Sequence, residues 1–179
     1  ITTAVFAILY GLPMLEGNIA NAENFMLLPI IASSIFIVSQ KRFYIAGIIL
    51  GLAFLFKIVA IFDFAAFFIF LTILQYGSIK NIKTNVKEFK FLILGFLLPT
   101  IATSIFFLTK GAFLEFLTAT FFTNISYVSY GNKIGNLPIL LFIKGALLLG
   151  FIAYIYKKRQ FLSKTTLFIV IWVAFSLFN

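Results

Sequence analysis

An all-α polytopic transmembrane helix bundle is the fold this sequence predicts, and three observations predict it. First, 63% of the 179 residues are hydrophobic and 11% are charged, with 26 Phe and a mean hydropathy of +1.14. Soluble domains hold roughly 45–50% apolar and about 25% charged residues. Second, the apolar residues fall in runs approaching the roughly 20 residues that a spanning helix needs, with short polar segments between them. Third, the basic residues collect in alternate loops, which is the partition that membrane insertion imposes on Lys and Arg.

The elements follow in chain order. Ile1 to Leu15 is a first apolar run, followed by a polar loop from Glu16 to Asn24. Phe25 to Ser39 is a second span, closed by "QKR" at 40 to 42. The apolar stretch 43 to 76 overshoots the hydrocarbon as one helix, so it divides into a hairpin turning near Lys57, with halves Phe43–Phe56 and Phe64–Tyr76. "GSIKNIKTNVKEFK" at 77 to 90 is a polar segment, and Phe91 to Thr109 is a span with a kink expected at Pro99. Residues 110 to 136 form the longest loop. Leu137 to Tyr156 is a further span ending at "KKR", and a last one starts near Thr165. By the length criterion this makes about seven spans in one domain covering residues 1–179. The chain starts at Ile1 inside an apolar run and stops just after another, so it reads as an internal piece truncated at both ends.

Loops on one side carry Lys41, Arg42, Lys80, Lys83, Lys87, Lys90, Lys157, Lys158, Arg159 and Lys164. The other side holds Lys57, Lys110 and Lys133 with Glu16, Glu23, Asp63 and Glu115. The first side is therefore expected to be cytoplasmic, and the acid-bearing side external. The net charge of +9 belongs to those loops, and a nucleic-acid role is not expected because no basic stripe lies outside them. The absence of Cys and His excludes disulfides, thiol catalysis, Cys or His zinc sites and a Ser-His-Asp triad within this chain.

Three groups of residues carry candidate chemistry. Glu23, flanked by Asn21 and Asn24, is placed in the first turn of a helix, where a carboxylate complements the helix dipole. It reads either as an interfacial N-terminal acid or as a ligand for a metal, a sugar hydroxyl or a polar head group. Lys57 and Asp63 stand in or near hydrocarbon, where an ionisable group costs about 2.5–3.5 kcal/mol and seeks a partner or a cavity. They either pair across the turn or leave Lys57 to meet a phosphate as a point charge. Lys144 is a weaker case that can snorkel. In "KGAFLEFLTATFFTNISYVSYGNKIGN" (110 to 136), helical spacing puts Glu115, Thr118, Ser126 and Ser129 roughly on one face, with Phe122 intruding. Phe113, Phe116, Leu117 and Phe121 lie elsewhere, a pattern for a helix in the membrane interface. Tyr127 and Tyr130 suit the headgroup level. "NIS" at 124 to 126 matches a glycosylation acceptor pattern, which is too common to use alone.

At these residues the chain resembles the integral-membrane glycosyltransferases that use lipid-phosphate sugars (the GT-C superfamily, with family 39-like protein O-mannosyltransferase and aminoarabinose-transferase-like members). "NAENFMLLPIIASSIFI", "AGIILGLAFLFKIVAIFDF" and "FLEFLTATFFTNISYVSYG" carry the likeness, which spans most of residues 10 to 135. It implies an external cavity for a polyprenyl-phosphate sugar donor and transfer to a lipid, glycan or protein acceptor. It also implies an integral protein of a bacterial or archaeal cytoplasmic membrane, with the site on the external face.

On the resemblance, the catalytic acid is expected upstream of Ile1, and this chain alone is expected to be inactive. Glu23 then becomes a second acidic cavity residue near the sugar or a divalent metal ion, and Lys57 sits near the donor phosphate. The cavity candidates are Asn21, Glu23, Asn24, Lys57, Asp63, Asn124 and Tyr127. The alternative is a multi-span transporter or lipid flippase, whose site would lie near the bilayer midplane on repeated, broken helices. No repeat is visible in this sequence. A non-catalytic scaffold would not need Lys57 and Asp63 so close to hydrocarbon.

Overall fold

In the computed structural model the chain is described over residues 22–75, 82–123 and 137–177. The described residues form α1 (Ala22–Val38), α2 (Phe43–Phe56), α3 (Ala60–Gln75), α4 (Ile82–Thr109), α5 (Phe113–Leu117), α6 (Leu137–Lys158) and α7 (Lys164–Ser176). Among them there is no strand, so the all-α class holds. The apolar run 1 to 15 lies outside the described residues.

The hairpin expected within 43 to 76 forms, and its turn is at Lys57. Lys57 adopts an extended conformation (φ −155°, ψ 129°) that stops α2, while its N–H still donates to the Ala53 carbonyl. Ala60 N–H then donates to the Lys57 carbonyl at 3.1 Å, so α3 starts four residues before the expected Phe64. The α1–α2 turn is as tight. Gln40 and Arg42 both take left-handed backbone angles (φ 52°), which costs a non-glycine residue about 1–2 kcal/mol.

Helix α4 departs furthest from expectation. It starts at Ile82, so most of the segment read as a polar loop is helical. The Lys87 side chain lies along the helix, with Nζ 5.8 Å from the Phe91 ring centroid, an amphipathic stem over an apolar turn. Pro99 sits within the helix, which continues to Thr109 despite the backbone donor that proline lacks. Among the described residues, Val86–Thr109 is the one helix long and apolar enough to cross a membrane by itself. Helices α1, α2, α3 and α7 are shorter, from 13 residues in α7 to 17 in α1, and α6 has 22.

The core lies among α1, α2, α3, α4 and α7, built on Ile37, Leu50, Phe67, Phe70, Leu71, Leu92 and Ile171. Its closest seam joins α2 to α4. A methyl group built on Gly47 would overlap the Leu92 carbonyl oxygen and come 2.8 Å from the Phe96 nitrogen. One on Gly51 would overlap the Phe96 carbonyl, and one on Gly95 the Tyr44 carbonyl. Small residues spaced by four let two helix backbones approach this closely. Ser33 Oγ adds a buried bond across α1 and α2, donating to the Ala46 carbonyl at 2.9 Å.

Candidate functional site

Aromatic contacts show which ends of the helices meet. Phe25 stacks on Phe56 with ring centroids 6.0 Å apart, so the start of α1, where Glu23 and Asn24 lie, sits beside the end of α2. Phe54 meets Phe121 at 6.2 Å, and Phe107 stacks on Phe116 at 5.0 Å, which brings residues 113–122 over the same end. Asp63, in the first turn of α3, joins this end from the other side through α7. Lys41, Arg42, Lys87, Lys90, Lys157, Lys158, Arg159 and Lys164 lie around the opposite helix ends, where Tyr44 meets Phe91 edge-on at 6.4 Å. Most of the described basic residues therefore lie at one end of the bundle, with Glu88 among them, while Lys57, Lys110 and Lys144 lie toward the other end with Glu23, Asp63 and Glu115.

Lys57 is half-buried and recessed. Helices α2 and α4 run parallel, with Tyr44 beside Phe91, Gly47 beside Leu92 and Phe96, and Gly51 beside Phe96 and Pro99. Continued along the seam, that register brings Lys57 level with Ser104, roughly 8 Å short of the end of α4 at 1.5 Å per residue. The residue also occupies a helix C-terminus, where an ammonium complements the carbonyl end of the dipole.

Of the two readings of Asp63 and Lys57, pairing across the turn or leaving Lys57 to a phosphate, the first is not the bond that the Asp63 carboxylate makes. The carboxylate is buried and its Oδ1 accepts a 2.6 Å hydrogen bond from Trp172 Nε1 on α7, while Oδ2 is buried without a hydrogen-bond partner. Trp172 is itself held by Phe67 (5.6 Å, edge-on) and Phe168 (5.5 Å). The sequence reading passed over Trp172. It is the chain's only Trp, and an indole that needs an acceptor is a partner worth seeking for a buried acid.

The segment expected to be an interfacial helix is helical over 113 to 123. Phe116 is buried and Phe121 packs on the core, whereas Glu115 and Thr118 are exposed, as the facial pattern requires. The helix widens into a π-turn at Thr118–Phe122, where Thr123 donates both its N–H and its hydroxyl to the Thr118 carbonyl. Glu115, Leu114, Thr118, Ala119 and Thr123 line a shallow groove of about 400 Å³. Single π-turns inside helices are frequent at functional sites.

Glu23 occupies the first turn of α1, and Asn24 follows it there. Asn21, Asn124 and Tyr127 lie outside the described residues. The described residues contain no cluster of three or more acidic side chains placed to hold a metal ion. The arrangement nonetheless brings an amide, a recessed ammonium and an amphipathic helix to one end of the bundle. Those groups can bind a polar, anionic head whose remainder lies in an apolar phase. No protein-family model, no curated protein and no solved structure matches the chain.

Proposed function

We propose that the chain is part of a polytopic membrane glycosyltransferase that moves a sugar from a polyprenyl-phosphate donor to an acceptor on the external face. The carrying observation is that the α1 start, the recessed Lys57 turn and the 113–122 helix converge at one end, opposite the basic end. The gathering of most basic residues at the opposite end supports placing this end outside, because Lys and Arg are retained on the cytoplasmic side. The surface supports the membrane placement, since Leu28, Ile35, Ile101, Ile105, Phe142, Leu147 and Val173 are all exposed and large exposed apolar areas mark contact with lipid or with a further protein surface.

The chemistry divides among these groups. Lys57 neutralises the donor phosphate as it leaves. The polar residues at the α1 start bind the sugar, and the 113–122 helix admits lipid from the side. The acid that removes the acceptor proton is expected outside this chain. On the resemblance, Glu23 is the residue that would hold a divalent metal ion, which would supply a further positive charge.

The test uses membranes containing the protein that carries this chain and a radiolabelled polyprenyl-phosphate sugar. Lys57→Met and Glu23→Gln are each expected to lower transfer about 100-fold, the scale on which electrostatic stabilisation acts. Near-normal transfer by both variants, at equal amounts in the membrane, removes those residues from the site. The competing reading, a transporter or flippase, is favoured by one feature, the acid Asp63 buried between α3 and α7. Translocation of the donor without transfer, abolished by Asp63→Asn, would decide for it.

A further inference from the structure

Helices α6 and α7 are joined by a single tight turn at Arg159–Phe161. Helix α7 packs antiparallel to α3: Phe168 meets Phe67 at 5.1 Å and Phe70 at 5.2 Å, while Trp172 reaches Asp63 in the first turn of α3. The start of α7 therefore lies toward the end of α3, where α1 also turns into α2 through Lys41 and Arg42. Two chain reversals, at 39–42 and 159–163, thus fix one level of the bundle, and both are basic. A reversal leaves backbone groups without helical partners, which water and headgroups satisfy and hydrocarbon does not.

The second reversal carries Lys157, Lys158, Arg159 and Lys164, four cations within eight residues. No acid answers them on their own helices, because residues 116–179 contain neither Asp nor Glu, and the one acid of α3 is Asp63 at its far end. Neighbouring rings steady two of the cations. Arg159 Cζ lies 3.9 Å from the Tyr156 ring centroid while its guanidinium donates to the Tyr156 carbonyl at 3.0 Å, and Lys158 Nζ lies 5.7 Å from the Phe161 centroid. Tyr154, Ile155, Lys158, Phe161 and Leu162 line a recess of about 370 Å³ beside the turn. Its α6 wall descends from Lys158 to Tyr154, about 6 Å at 1.5 Å per residue, a depth that suits a glycerol backbone and the first methylenes of an acyl chain. Tyrosine one turn inside a row of lysines is the order expected at the headgroup level.

We infer that this recess holds an anionic phospholipid of the leaflet at the basic end, with its phosphate on Lys158 and its glycerol end against Tyr154, Phe161 and Leu162. Lys157 and Arg159 raise the local potential from either side in sequence. Charge complementarity selects this occupant, since a zwitterionic lipid brings a further cation to a site that already has four, and an apolar helix leaves those four unmatched. The inference rests on the membrane placement of the bundle and is independent of sugar transfer.

The experiment reconstitutes the protein that carries this chain in phosphatidylcholine vesicles. They contain matched amounts of either phosphatidylglycerol or phosphatidylcholine bearing a diazirine near the acyl carbonyl, and cross-links are mapped after irradiation. Label is expected on residues 154–162 and to be stronger from phosphatidylglycerol. Lys158→Gln should lower that label about fivefold, the effect of one basic residue at an anionic surface, and Lys158→Arg should retain it. Lys41→Gln, at the other reversal, should leave labelling of 154–162 unchanged. Lys158 and Lys41 are both exposed, so neither change disturbs the core.

Equal label from the two lipids overturns the site. So does an equal loss in Lys158→Gln and Lys41→Gln, which would reduce the effect to the diffuse potential of the basic end. Loss of label on adding inorganic phosphate at constant ionic strength would assign Lys158 to a soluble anion and overturn the lipid. Flotation with the vesicles reports membrane placement separately, and failure to float overturns that premise and the inference with it.

Discussion

The α2–α4 seam and the α6–α7 pair are built from similar residues and are packed in opposite ways. At the seam, Gly47, Gly51 and Gly95 remove side chains where the backbones cross, and the helices touch main chain to main chain. On α6, Gly145 and Gly150 have nothing within 4 Å of a built Cβ, and Phe142, Leu147 and Leu149 point outward. Glycine and leucine content therefore says little about which helices pair. Position relative to the neighbour decides it: the same residue type closes a contact on α2 and leaves a surface on α6.

The comparison breaks most sharply at Gly95. Gly95→Leu forces atoms into the Tyr44 carbonyl and should destabilise the protein by about 3 kcal/mol or prevent its accumulation, as overpacking does. Gly150→Leu adds the same side chain on α6 and should stay within about 0.5 kcal/mol of the parent. Unfolding in detergent mixtures measures both, and equal effects would deny that the seam is special.

A smaller effect is expected where α7 meets α3. Trp172→Phe keeps the ring packing and removes the donor to Asp63, leaving a second carboxylate oxygen unbonded at about 1–3 kcal/mol. Adding Asp63→Asn to that variant should recover part of the loss, because an amide is less costly to bury than a carboxylate. If both variants unfold like the parent, the 2.6 Å bond contributes nothing to stability.

The smallest change is Ser33→Ala. It deletes one bond to the Ala46 carbonyl between α1 and α2 and should cost about 1 kcal/mol, the usual net contribution of one intramolecular hydrogen bond. A loss above that of Trp172→Phe would reverse the ranking of the two interhelical bonds.

Much of the helical layout was legible without the structure. The split of residues 43 to 76 at Lys57 followed from the length of the apolar run together with the charges at Lys57 and Asp63 that interrupt it. The inward set Phe116 and Phe121 against the outward set Glu115 and Thr118 followed from helical periodicity. The start of α4 was misplaced because Lys and Glu read as a loop in a hydropathy pattern, although both are good helix formers. The partner of Asp63 was out of reach, because Trp172 lies 109 residues away and no local pattern links the two.

By itself, the sequence determined the helical class, the division into apolar segments and the gathering of most basic residues in the segments that connect them. Those properties are local, and depend on hydrophobicity, propensity and the cost of moving lysine away from water. Tertiary structure alone decided that Gly95 answers Gly47 and Gly51, that Asp63 faces an indole rather than Lys57, and that α6 stands off from α7 around Lys144. Those outcomes depend on helix register and azimuth, which an apolar face does not encode when nearly every face is apolar.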